Sequence, residues 1–147
     1  METIIEPIPI ISKDFSKIVI PLIEKAQHSI DVIVYEWRFY KNDPANAVSL
    51  FNQALARACA RGVNVRCLVQ NAGSMDSLKA LGCTARILNS KRILHTKMML
   101  LDRKGVIIGS HNYTQHAFTS NEEASIYVYF NNEATEFIDY FNNLFGL

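Results

Sequence analysis

Short runs of β-branched and aromatic residues, spaced by stretches of helical periodicity, constrain this chain more than any other feature. Residues 29–37 and 63–69 are nearly unbroken apolar runs, the pattern of strands covered on both faces. Between them, residues 45–61 place Val48, Phe51, Leu55 and Cys59 on one side of a helix that stops at Gly62. Strands joined by such a crossover run parallel and need helices lying over the sheet. Residues 4–11 read as a strand broken by Pro7 and Pro9, which suits a sheet edge. Phe15, Ile18, Val19, Leu22, Ile23 and Ala26 then follow helical spacing, with Asp14 as a candidate cap and Pro21 expected to kink the helix or delay its start. A short helix over 75–81 ends at Gly82, and a strand follows over 84–88. Thereafter the strands crowd together at 96–101, 106–109 and 123–130, before a last helix over 133–145. The predicted order is βαβαβαβ followed by βββα. It implies an α/β fold, a mixed β-sheet flanked by helices on both faces, in one domain over residues 1–147.

Composition narrows the class. A hydrophobic share of 49% and a charged share of 20% suit a folded globular chain without linkers. The longest apolar stretches, such as 32–35 and 98–101, fall far short of the roughly 20 residues that span a bilayer. Glu2, Glu6, Pro7 and Pro9 leave no basic, apolar leader at the N-terminus, so a cytoplasmic protein is expected. Cys59, Cys67 and Cys83 are odd in number and sit in apolar contexts, which reads as buried thiols. Net charge is only +1, yet Lys91, Arg92, Lys97, Arg103 and Lys104 oppose Asp102 alone, while residues 121–147 carry five acids and no Lys or Arg. That distribution predicts a molecule polar in charge.

His95 and Lys97 lie two apart on a predicted strand, so their side chains share one face while Met98 and Leu100 take the other. Asp102, Arg103, Lys104 and Gly105 read as a type I turn with the left-handed position at Gly105. If Asp102 pairs with Gly105 or Val106, antiparallel register brings Asn112 near His95 and Ser110 near Lys97, within about a residue of slip. Imidazole is a nucleophile, and an ammonium, an amide N–H and a hydroxyl hold anionic oxygens, so the set fits phosphate. A histidine that attacks phosphorus cannot also protonate the leaving oxygen in that step. The motif occurs once, and a twofold homodimer supplies the second histidine across its axis.

His95-Thr96-Lys97, Asp102 four residues later, then Gly109-Ser110-His111-Asn112, resembles the HxKxxxxD…GSxN motif of the phospholipase D superfamily. Residues 30–35 leading to a strand end, and 58–65 before the next strand, extend the likeness. The short single-motif form resembles the bacterial nucleases of that superfamily, which build their site by homodimerisation. The resemblance implies that His95 is nucleophile in one subunit and general acid in the other, with Lys97 and Asn112 binding phosphate and Ser110 adding a hydrogen bond. Asn121-Glu122-Glu123 resembles the family's NxE segment, which makes Glu123 the acid that orients a histidine. Asp102 is explained by the turn and reads as structural. His111 alternates to the face opposite Ser110 and Asn112, and His28 and His116 have no motif support.

Neither cofactor nor metal is expected, because ligand spacings are missing and cationic Lys97 beside His95 disfavours a divalent ion. The expected substrate is DNA or RNA, cleaved with weak sequence specificity. Lys91 and Arg92 either grip its backbone or solvate a loop. An alternative is a phospholipase or phosphatidyltransferase, with Trp37, Phe39 and Tyr40 as an acyl entrance; the same aromatics equally suit stacked bases or the core. A noncatalytic or latent nucleic-acid-binding subunit is the remaining alternative.

Overall fold

The β-branched runs and helical stretches appear in a computed structural model that describes residues 6–146. In chain order the elements are β1 (Ile8–Ile11), α1 (Phe15–Lys25), β2 (Ser29–Ile33), α2 (Ala47–Ala60), β3 (Asn64–Val69), α3 (Met75–Leu81), β4 (Thr84–Ile87), β5 (Met98–Leu101), β6 (Gly105–Gly109), α4 (Gln115–Thr119), β7 (Ala124–Tyr129) and α5 (Thr135–Phe145). The reading of residues 1–5, including the start of the first strand and the absence of a leader, lies outside the described residues. Among the described residues no helix is long and apolar enough to cross a membrane.

Among the described residues, seven strands join one mixed sheet in the order β1-β7-β6-β5-β2-β3-β4. β2, β3 and β4 run parallel, as their crossover helices require, and β5, β6, β7 and β1 continue antiparallel from the other side of β2. Strand alternation sorts the core into two faces. Val32, Cys67, Met99 and Ile107 pack with Phe15, Val19, Phe51 and Phe118 from α1, α2 and α4, whereas Ile33, Leu68, Leu100 and Val106 pack with Ile138, Phe141 and Phe145 of α5. Helices therefore cover both faces. Mid-strand Asp31 is 2% exposed, and the Arg66 guanidinium meets it with a pair of hydrogen bonds of 2.7 and 2.9 Å. The same guanidinium lies 4.8 Å from the Phe141 ring, so a buried charge is paired while α5 is held to its face.

Several boundaries differ from expectation for local reasons. Asp14 makes no capping bond; it ends a 3-10 turn, and α1 starts at Phe15 with Pro21 inside it on an exposed position. The first buried strand ends at Ile33 rather than residue 37, because residues 36–38 leave the sheet and exchange hydrogen bonds with Tyr113. β5 starts at Met98 rather than residue 96. α4 was not anticipated; Thr114 caps its five residues by accepting from the Ala117 N–H. The turn after β5 also differs. Leu101, not Asp102, pairs with Gly105, and Asp102 and Arg103 take the left-handed φ values of 53° and 64° expected at Gly105. Two consecutive positive φ angles are the mark of a primed hairpin turn, and Asp tolerates that region better than most residues.

The cysteines, scattered in sequence, converge: the Sγ atoms of Cys59 and Cys83 lie 4.0 Å apart, and Cys67 and Cys83 are buried. Burial and the neighbouring Cys83 push the Cys59 thiol up to about 12, so it stays protonated at neutral pH and packs as a small apolar group. The charge pattern does not survive folding as one basic face. Arg103 pairs with Glu133 at 2.5 Å at the far end of β5, away from Lys91, Arg92 and Lys97.

Candidate active site

Topology brings the sequence motif to one end of the sheet. β2 and β6 finish there while β5 and β7 begin there, because the latter pair run antiparallel to the former. The segments just outside those strands, 34–37, 94–97, 109–113 and 121–123, consequently meet above the sheet. Chain ends of parallel strands are where open α/β sheets offer binding crevices.

His95 is exposed, and its two ring nitrogens lie 2.9 and 3.2 Å from the Lys97 Nζ. The ammonium donates to whichever nitrogen carries the lone pair. Tyr35, directly after β2, supports both: its ring centroid is 4.9 Å from that of His95 and 5.6 Å from the Lys97 Nζ. Burial lowers the Lys97 ammonium from its usual value, and the Glu123 carboxylate nearby opposes that shift. Asn112 is fixed through Oδ1, which accepts from the Glu36 N–H at 3.0 Å. Among the described residues its amide N–H donors have no protein partner, which leaves them able to donate to a bound group.

The register differs by one residue from the expected pairing. Gly109 donates to the Lys97 carbonyl, so Gly109 rather than Ser110 stands across from Lys97. Ser110 instead donates to Glu123 Oε1 at 2.6 Å and accepts from the Ala124 N–H at 3.0 Å. Asn121 donates to the other Glu123 oxygen at 3.1 Å. Among the described residues these bonds, and none to His95 of the same chain, occupy the carboxylate. Glycine at 109 has a steric cause: a Cβ there would collide with the backbone of Ala124 and Ser125 on β7. Gly109→Ala is expected to push β7 away and cost about 2–3 kcal/mol, read as a lower denaturation midpoint together with lost activity. Unchanged stability would show that β6 and β7 can separate freely.

Asp102 sits at the opposite end of β5 from His95. Its carboxylate accepts from the N–H groups of Gln27, His28 and Ser29 at 2.7–3.2 Å, tying the loop before β2 to the β5–β6 turn. Burial alone would raise this carboxyl, but the three backbone donors outweigh it and hold it below its usual value.

His111 points into the core, 1% exposed, bonded to Ser125 Oγ at 2.7 Å and the Ser12 carbonyl at 2.9 Å. Burial pushes its imidazole below the ordinary 6.5, against the Ser12 carbonyl and Glu123. A depressed folded value means the unfolded chain binds the proton first on acidification, so this stabilising contribution is present above 6.5 and lost as pH falls through the folded value. Denaturation midpoints are expected to drop below that point, and His111→Gln, which cannot titrate, should flatten the decline. An identical pH dependence in the variant would assign the effect elsewhere.

Lys91 and Arg92 are exposed on the loop that leads into His95. Sequence reasoning did not single out Gln70, at the end of β3, whose side chain accepts from the Leu94 N–H at 2.9 Å and donates to the Arg92 carbonyl at 2.8 Å. It thereby clamps the approach to His95. Tyr35 and Glu36 were likewise unassigned, although their position after a parallel strand is itself a signal.

A family model described as "Cardiolipin synthase, PLD-like domain" matches residues 19–145. A protein of Rickettsia prowazekii named phospholipase D is 31% identical over 119 residues, 77% of this chain but 54% of the relative's own length. The chain thus spans about half of that curated relative. Among solved structures, Nuc of Salmonella typhimurium, a phospholipase D family member, superposes with a TM-score of 0.77 at 22% identity over 95% of both chains. NucT of Helicobacter pylori does so with a TM-score of 0.72 at 18% identity, again over 95% of both.

Proposed function

Since the chain belongs to the phospholipase D-like phosphodiesterase superfamily, we propose that it hydrolyses the phosphodiester backbone of DNA or RNA without a metal, at a site completed by a second copy. One observation carries this reading: His95 stands exposed with the Lys97 ammonium against its ring and the free amide of Asn112 anchored beside Tyr35 at Glu36. That is a nucleophile with a cation and an N–H donor around it, the needs of phosphoryl transfer.

In the proposed reaction a His95 ring nitrogen forms a bond to phosphorus as the P–O bond to the leaving group breaks. His95 of the partner subunit gives its proton to the departing oxygen. Water then attacks the phosphohistidine, losing its proton to His95 of the partner subunit, and the P–N bond breaks to restore the starting state. Lys97 and Asn112 hold the non-bridging oxygens throughout. Ser110 orients Glu123, and Glu123 serves to orient a histidine across the dimer. Lys91 and Arg92, on the same loop as His95, add backbone contacts that carry little sequence information.

Its match to Nuc and NucT along nearly their whole length supports a nucleic-acid substrate. The curated relative's name supports a second reading, release of a phospholipid headgroup. Both are tested by offering labelled single-stranded DNA, duplex DNA, RNA and phospholipid vesicles in excess EDTA. Cleavage of nucleic acid unaffected by EDTA, and weakening as salt rises, is the expected result. Headgroup release without nucleic-acid cleavage would move the assignment to lipid, and silence on every substrate would favour a latent or noncatalytic subunit.

A further inference from the structure

Beside the candidate site, a groove of about 910 Å³ runs between the segment after β2 and the segment after β3. Pockets that hold small organic ligands span roughly 300–1,000 Å³, so it has room for a nucleoside and part of its neighbour. Tyr35 belongs to both places: it lines the groove and its ring touches His95. Whatever enters the groove therefore lies against the side chain that supports the nucleophile.

The lining is part aromatic and part hydrogen-bonding. Phe39 stacks on Trp37 with centroids 5.9 Å apart and planes 15° from parallel. Trp37 is fixed in turn by donating to Asn52 Oδ1 at 2.8 Å. Phe39 is half-buried and Tyr35 is 43% exposed, and both line the groove with part of their surface accessible. Around them stand Gln70, Asn71 and Ser77, with Arg38 and Lys41. Arg38 is neutralised by Glu36 at 2.7 Å, while Lys41 has no ion pair among the described residues. Flat rings beside polar groups and a cation without an ion pair match a base attached to a phosphate. An acyl chain would desolvate the Lys41 ammonium, which has no ion pair among the described residues.

On this basis, and resting on the nucleic-acid reading above, we propose that the groove is a subsite for an unpaired nucleotide flanking the scissile phosphate, with Phe39 and Tyr35 as stacking surfaces and Lys41 on the adjoining phosphate. A paired base is already stacked within its duplex and cannot enter, so the groove selects single strands.

The chain holds one tryptophan, Trp37, and it lines this groove. Its fluorescence reports occupancy directly. With the His95→Ala protein, a twelve-residue single-stranded oligonucleotide should quench it saturably, and the matching duplex should not. Phe39→Leu and Lys41→Ala should each weaken single-strand affinity about tenfold, the scale of one lost stacking or phosphate contact. Binding without quenching, equal quenching by duplex, or quenching by phosphatidylglycerol vesicles would overturn the proposal. Turnover of bis(4-nitrophenyl) phosphate by the wild-type chain tests the diester chemistry separately, because that probe carries no base. Turnover of it and of oligonucleotides, with no quenching, sinks the groove alone; no nucleic-acid cleavage at all sinks the reading beneath it.

Discussion

His95→Ala should lower nucleic-acid cleavage by about 10⁴-fold or more, the scale seen when a covalent nucleophile is removed. The side chain is exposed and, among the described residues, its hydrogen bonds run only to Lys97, so the loss should come without a change in the denaturation midpoint. Time courses in EDTA, paired with thermal melts, make the measurement. Rapid quenching into base of a reaction with ³²P-labelled substrate should trap label on His95 in the wild-type chain, since the P–N bond survives alkali. Substantial cleavage by the alanine variant would defeat His95 as the attacking group, whatever the substrate. Lys97→Met should follow in the same direction, because it removes the ammonium that touches the imidazole and, in the proposed reaction, holds the phosphate oxygens.

Mixed dimers give the second large effect. If each reaction needs one histidine to attack and another to protonate, a dimer with a single His95→Ala chain is as inactive as one with two. Exchanging wild-type with variant chains should then reduce activity as the square of the wild-type fraction, so an equal mixture retains about one quarter. Separately tagged chains, co-purified through both tags, allow the mixed species to be assayed alone. A linear dependence on the wild-type fraction, or full activity in a chain shown to be monomeric by its mass, would mean that one subunit holds the complete site.

Local patterns revealed the elements whose cause is local. The runs around Val32 and Cys67 are β-branched and apolar on both sides, and the helix between them has a periodic face and a stop near Gly62; their centres lie where the pattern puts them. Proline placed the first strand at the edge for an equally local reason, the missing N–H. The turn after β5 was misjudged because glycine is the default choice for a positive φ. Asp102 takes it instead, its carboxylate caught by N–H groups more than seventy residues earlier in the chain. α4 is too short to show periodicity, and it forms where Thr114 supplies the first-turn acceptor.

The spacing of His95, Lys97 and Asn112 was legible as a constellation because β5 and β6 form a hairpin, so register translates sequence distance into proximity. A one-residue shift in that hairpin changed the partner of Ser110 from the surroundings of Lys97 to Glu123. Register depends on the turn, and the turn depends on Asp102. The supports of the site were not legible at all. Gln70 reaches the segment before His95, and Glu36 holds Asn112, across separations that no window along the chain contains.

By itself, then, the sequence determined the class of fold and named the candidate reacting groups, because hydrophobic periodicity and side-chain chemistry are properties of short segments. Tertiary structure alone decided where those groups meet. Antiparallel return of β5 beside β2 brings Tyr35 under His95, and the close approach of β7 to Gly109 sets Glu123 against Ser110. Those contacts arise from strand order and register, and both follow from packing two core faces at once, a condition that no single stretch of sequence carries.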